Sequence, residues 1–127
     1  MNATQTAAAR GTVRLLIVED QFMSALALVH AVEQLGVSVI GPAPTVDEAL
    51  RLIEEGECDA ALLDINLGNE TVEPVAKRLD ELGRPFVFVT GYASPKLIDP
   101  RFKSHTVIPK PVDAVLLRSV MRSEFGI

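Results

Sequence analysis

Beyond Thr12, short apolar runs alternate with segments whose apolar residues recur every three or four positions. The runs at residues 13–18, 37–41, 60–63, 86–89 and 107–108 have strand length, and the segments at 22–35, 46–55, 72–82 and 112–125 have helical spacing. Five strands alternating with helices imply an α/β domain with a parallel sheet covered on both faces. The punctuation fits these boundaries. Gly36, Gly56 and Gly83 each follow a helical pattern, where a left-handed cap is wanted. Thr45 and Glu48 read as a capping box, and Pro74 is tolerable only in the first turn of its helix, which must therefore begin near Glu73. Residues 93–102 carry both Pro95 and Pro100 and have few apolar residues to bury, so a fourth helix before the fifth strand is expected to be short or disordered.

Composition bounds what such a domain can do. A length of 127 residues, 48% of them hydrophobic, suits one core. Residues 1–12 lack a lasting period and are expected to form a disordered tail, with the domain over 13–127. A net charge of -5 with scattered lysines and arginines gives no footprint for nucleic acid or an anionic membrane. The apolar runs fall short of the roughly 20 residues that span a bilayer, and the N-terminal residues lack the apolar stretch of a signal peptide. A cytoplasmic location is expected. Cys58 is the single cysteine, without metal-ligand neighbours, and reads as a small residue leading into a strand.

In an open parallel sheet, ligands bind beyond the carboxyl ends of the strands. Glu19 and Asp20 follow the first strand, Asp64 the third, Thr90 the fourth and Lys110 the fifth. Carboxylates converging on one crevice repel each other unless a cation is present, and oxygen ligands without soft donors point to magnesium. The motifs are Leu15-Leu16-Ile17-Val18-Glu19-Asp20, Ala61-Leu62-Leu63-Asp64-Ile65-Asn66-Leu67, Thr90 after Phe86-Val87-Phe88-Val89, and Ile108-Pro109-Lys110-Pro111. Together they resemble the CheY-like response-regulator receiver family over residues 13–125. The stretch around Thr90-Gly91-Tyr92 is similar to the subgroup named for its Phe-Ala-Thr-Gly-any-Tyr motif, often single-domain receivers, although Val89 replaces the alanine and Tyr92 directly follows Gly91.

The resemblance implies a doubly wound, flavodoxin-like fold with strand order 2-1-3-4-5. It implies Asp64 as the phosphoryl acceptor from a histidine kinase or phosphotransfer protein. Glu19, Asp20, Asp64 and the backbone carbonyl of Asn66 would hold Mg2+, with Asp20 bound directly and Glu19 through water. Thr90 and Lys110 would stabilise the phosphoryl group, and a cis bond before Pro111 would aim the lysine. Asn66, Gly91 and Tyr92 occupy positions that flank the phosphoryl group and tune its loss. Plainer roles stand beside these: Asp20 as an N-cap, Asn66 as the start of a turn with Gly68, Tyr92 as a half-buried ring, and Gly91 as room for close backbone approach. His30 and His105 are expected to be structural or exposed.

Val107 stands where many receivers carry an aromatic that reports phosphorylation, which makes Tyr92 a candidate substitute. Residues 93–102 are expected to order on phosphorylation. The chain is expected to be a phosphoacceptor switch, not an enzyme, as a monomer or weak dimer. With no output domain expected after Phe125, it would act through a separate, unknown protein partner. The alternatives are a receiver fragment of a larger regulator and, from a different class, a small aspartate-nucleophile phosphohydrolase. The latter would call for two aspartates one residue apart, whereas Asp64-Ile65-Asn66 offers one.

Overall fold

The computed structural model describes residues 13–56, 58–91, 100–102 and 105–127. Their order is β1 (Arg14–Val18), α1 (Phe22–Glu33), β2 (Ser38–Ala43), α2 (Val46–Glu54), β3 (Ala60–Asp64), β4 (Asn66–Leu67), β5 (Glu70–Thr71), α3 (Glu73–Glu81), β6 (Phe86–Thr90), a 3-10 turn (Pro100–Phe102), β7 (Val107–Pro109) and α4 (Ala114–Phe125). The five longer strands form one parallel sheet in the order β2-β1-β3-β6-β7. Counting those strands alone, this is the expected 2-1-3-4-5.

The central strands are apolar along their whole length because both faces are covered. Every residue of β3 and β6 is buried. Side chains alternate between faces, so Leu15, Ile17, Leu62, Val87 and Val89 meet Leu28 and Val32 of α1 and Leu117, Val120 and Met121 of α4. Leu16, Val18, Ala61, Leu63, Phe86 and Phe88 meet Ala49 and Ile53 of α2 and Val75, Ala76 and Leu79 of α3 on the other. This two-sided burial makes the fold doubly wound.

The local signals act as their chemistry requires. Gly36, Gly56 and Gly83 all adopt positive φ just past their helices. The Thr45 hydroxyl accepts from the Glu48 amide at 3.2 Å, but the Glu48 carboxylate pairs with Arg51 and does not reach back, so only half of the capping box forms. Pro74 sits in the first turn of α3, which begins at Glu73. Asp20 is not a cap: α1 is entered through Gln21 without a side-chain cap bond. The antiparallel β4–β5 hairpin between β3 and α3 was not legible as strands, since each arm is two residues long.

Between β6 and β7 the 3-10 turn Pro100–Phe102 is the only helical piece among the described residues. Tyr92 and residues 93–99 lie outside them, as do residues 1–12 and the expectations placed on both segments. Phe102 and His105 cover Phe86 and Phe88, the imidazole stacking on Phe86 at 4.5 Å and 11°. His105 is thus structural and His30 exposed. Cys58 is buried just before β3, and burial pushes its thiol up to about 11. No helix among the described residues is long and apolar enough to cross a membrane.

Candidate functional site

Three strands end at one point. Glu19 leaves β1, Asp64 ends β3 and Thr90 ends β6, and these are buried polar residues in an otherwise apolar interior. One carboxylate oxygen each from Glu19, Asp20 and Asp64 fall within 4.8 Å of one another. Asp20, unlike the other two, is exposed. Lys110 comes from the end of β7. Its backbone N–H donates to the Thr90 carbonyl at 2.8 Å, and the Lys110–Pro111 peptide is cis, as the resemblance implied. The ammonium donates to Asp64 Oδ2 at 2.9 Å and to Glu19 Oε1, bridging the two buried carboxylates.

The remaining oxygens have backbone partners. Asp64 Oδ1 accepts from the Asn66 amide at 3.1 Å, and Glu19 Oε2 accepts from the Gln21 amide at 3.3 Å. Desolvation pushes the Asp64 carboxyl up from 3.8 to about 7, helped by Glu19 and opposed by Lys110. Burial would raise Glu19 as well, but hydrogen bonds with Asp64, Lys110 and the Gln21 amide outweigh it and hold Glu19 below its ordinary value. Lys110 is held above its ordinary value because the two carboxylates outweigh its own desolvation.

Asp64 and Lys110 face a cavity of about 440 Å³ lined by Asp20, Gln21, Asp64, Asn66, Gly68, Gly91 and Lys110, with Glu19 buried behind them. Gln21 and Gly68 were not expected there. Gly68 turns the β4–β5 hairpin at positive φ, and a Cβ on it would lie 3.6 Å from Asp20 Oδ2. The pair Asn66 and Gly68 signals a turn in the sequence, but only the fold shows that this turn borders the acidic group. A Cβ on Gly91 would meet Lys110 Cδ at 3.9 Å, an ordinary contact, so no described neighbour requires glycine there. Pro111 lines a separate apolar groove beside α1, with Ala27, Leu28 and Val112. Tyr92 lies outside the described residues.

A buried carboxylate, an acidic group and a lysine at the carboxyl ends of a 2-1-3-4-5 sheet agree with comparison to known proteins. The sequence matches the response regulator receiver domain over residues 15–122. The chain belongs to this family. The receiver is 32% identical over 110 residues to the phyllosphere-induced regulator PhyR of Methylorubrum extorquens, covering 84% of this chain and 41% of that one. It therefore spans about two fifths of that relative's length. The solution structure of SdrG from Sphingomonas melonis Fr1 is 35% identical with a TM-score of 0.78, over 97% of this chain and 98% of that one. The PhyR receiver domain of Erythrobacter litoralis is 25% identical with a TM-score of 0.80, over 94% of each.

Receiver domains bind magnesium at an acidic pocket of this kind. The donor set here fits the ion: three carboxylates offer hard oxygens within reach of one another, and among the described residues no thiolate or imidazole lines the cavity.

Proposed function

We propose that Asp64 accepts a phosphoryl group from a phosphohistidine on a kinase or phosphotransfer protein, and that the phosphorylated receiver acts through a separate protein partner. The observation that carries this reading is the setting of Asp64. Its carboxylate is buried at a strand end, opens onto the cavity, and is held by Lys110 on one oxygen and the Asn66 amide on the other.

In the transfer, an Asp64 oxygen bonds to phosphorus as the phosphorus–nitrogen bond breaks, and the donor imidazole keeps the electron pair. Positioning and charge stabilisation are most of what a protein supplies to such a step. Lys110 is placed to follow the charge, because its ammonium already reaches Asp64 Oδ2 and can pass to a phosphoryl oxygen without moving its backbone. Glu19 holds the lysine in that position. Thr90, at the end of β6, would donate its hydroxyl to another phosphoryl oxygen. Glu19, Asp20, Asp64 and the Asn66 carbonyl would hold magnesium, which when bound neutralises the acidic group and screens the phosphoryl oxygens. Asn66 and Gly91, at the cavity rim, would govern access of water to the acyl phosphate.

A protein donor is favoured over a small phosphate ester by the surface next to the cavity. Phe22, Met23 and Leu26 of α1 are 75%, 73% and 52% exposed. They lie in the first turns of the helix that Gln21, which lines the cavity, leads into. Exposed apolar residues grouped beside a reactive site mark a protein contact. Phosphotransfer from candidate histidine kinases with magnesium, read on the intact chain and on Asp64→Ala, tests the reading. Label that survives alkali and hydroxylamine, or label persisting in the variant, would place the acceptor elsewhere. Steady release of phosphate from small esters would favour a phosphohydrolase.

A further inference from the structure

The seat of Glu19 is built from the neighbouring edge strand. Along β1 and β2 the register runs Leu16 with Ile40 and then Val18 with Ala43, so one residue of β1, Ile17, faces two of β2, Gly41 and Pro42. This is a bulge, a device that is rare between parallel strands and that re-aims whatever follows it. Its effect is to bring the Ala43 carbonyl level with the end of β1, where it accepts from the Glu19 amide at 3.0 Å. A one-residue slip in this pairing would turn the side chains to the opposite face. Glu19 in turn holds Lys110, and Lys110 holds Asp64.

Only glycine fits the bulge. Gly41 has φ +94, and a Cβ built on it would lie 2.7 Å from the Ala43 nitrogen and 3.1 Å from the Ile17 carbonyl oxygen. Both obstacles are backbone atoms of the two paired strands and cannot swing aside as a flexible side chain would. By contrast Gly36, also at positive φ (+79), has nothing within 4 Å of its would-be Cβ. Substitution at Gly36 meets conformational strain alone, whereas substitution at Gly41 must displace Ala43 or Ile17.

We infer that Gly41 is a positioning residue for phosphoryl acceptance: its bulge fixes the backbone of Glu19, and through Glu19 sets where the Lys110 ammonium stands over Asp64. The inference rests on the phosphoacceptor reading of Asp64. It assigns to a residue on the sheet edge, outside the cavity lining, a part in the rate of the reaction.

The test uses the full chain and acetyl phosphate with magnesium, comparing wild type, Gly41→Ala, Gly36→Ala, Glu19→Gln and the Gly41→Ala/Glu19→Gln double variant, each first checked for folding by far-ultraviolet circular dichroism. A displacement of about 1 Å at a reacting centre can lower a rate by about a hundredfold, so Gly41→Ala is expected to lose about tenfold or more in initial phosphorylation rate. Gly36→Ala should lower the melting temperature without a comparable loss of rate. The double variant should be no slower than Glu19→Gln alone, because both changes act through one side chain. A wild-type rate for Gly41→Ala, or losses that multiply in the double variant, overturns the inference. Absence of labelling in wild type would instead overturn the phosphoacceptor reading.

Should Gly41→Ala not fold, amide exchange in wild type and Lys110→Met decides the matter. A seat made by the bulge leaves the Glu19 amide equally protected in both proteins. Loss of that protection in Lys110→Met would show that the lysine holds Glu19 in place, and the inference would fail.

Discussion

Replacing Asp64 by asparagine should stabilise the metal-free receiver at neutral and alkaline pH. The folded protein raises the Asp64 carboxyl from 3.8 to about 7, with desolvation the chief cause. A group whose folded value is raised contributes stability that is present below the unfolded value and is lost as pH climbs through the folded one. For Asp64 that window runs from about 4 to about 7. At about 1.4 kcal/mol per pH unit the ionised carboxylate withdraws at most about 4 kcal/mol. Glu19 moves the opposite way and returns part of this, since its lowered value adds stability above its unfolded value. About 2–4 kcal/mol is therefore expected between wild type and Asp64→Asn at pH 8, or roughly 8–15 °C in melting temperature for a domain of this size. The asparagine keeps the volume and hydrogen-bonding capacity of the aspartate, while Lys110 keeps Glu19. The assay is thermal unfolding by circular dichroism in chelator from pH 5 to pH 8, repeated with magnesium. The gap should narrow by more than half on going down to pH 5, where wild-type Asp64 is mostly protonated. Magnesium should narrow it too, because the ion stabilises a carboxylate in the folded state alone. Parallel melting curves across that pH range, or a less stable variant at pH 8, would refute the reasoning.

Other substitutions separate the parts of the site. Lys110→Met removes the cation bridging Glu19 and Asp64, and phosphorylation by acetyl phosphate should slow by about a hundredfold, the usual scale for losing one preorganised stabilising group; a rate within threefold of wild type would remove the lysine from the mechanism. Phe22→Asp, at a side chain 75% exposed on α1, should weaken transfer from a phosphohistidine protein by tenfold or more, on the order of one lost apolar contact, while leaving acetyl phosphate labelling unchanged. Equal loss with both donors would contradict a docking role. Leu16→Ala, in a fully buried position of β1, should cost about 2–5 kcal/mol in urea unfolding, and a smaller loss would mean that the sheet collapses around the cavity.

The fold was legible because its signals are local and repeated. Apolar runs of strand length, helical periodicity and glycines past helix ends depend on near neighbours, and they placed every long strand and helix of the described residues within a few positions. The acidic group could also be located, because each strand end in such a sheet reaches the same edge, so Glu19, Asp20, Asp64, Thr90 and Lys110 could be grouped without coordinates. The division of labour inside that group could not be read in the same way. Glu19 and Asp20 are adjacent and chemically alike, yet one is buried and clamped to Lys110 while the other faces solvent. That difference comes from how the chain turns out of β1, which Ala43 fixes from a neighbouring strand.

The β4–β5 hairpin shows the same limit, since two-residue arms carry no period and owe their pairing to the core beneath Leu67 and Val72. Gly41 is the clearest instance. In sequence it is one glycine before a proline in a short run that reads as a strand. Its place against Ile17 and Ala43, within reach of the residue that holds Lys110, exists only once the strands are paired. The amino-acid order by itself determined which elements form and which edge of the sheet carries the acidic group, because those follow from interactions between near neighbours and from the common direction of the strands. Tertiary structure decided which carboxylate is buried, which oxygen the lysine meets and which edge-strand residue sets that geometry, because burial and charge pairing depend on groups that the chain brings together from far apart.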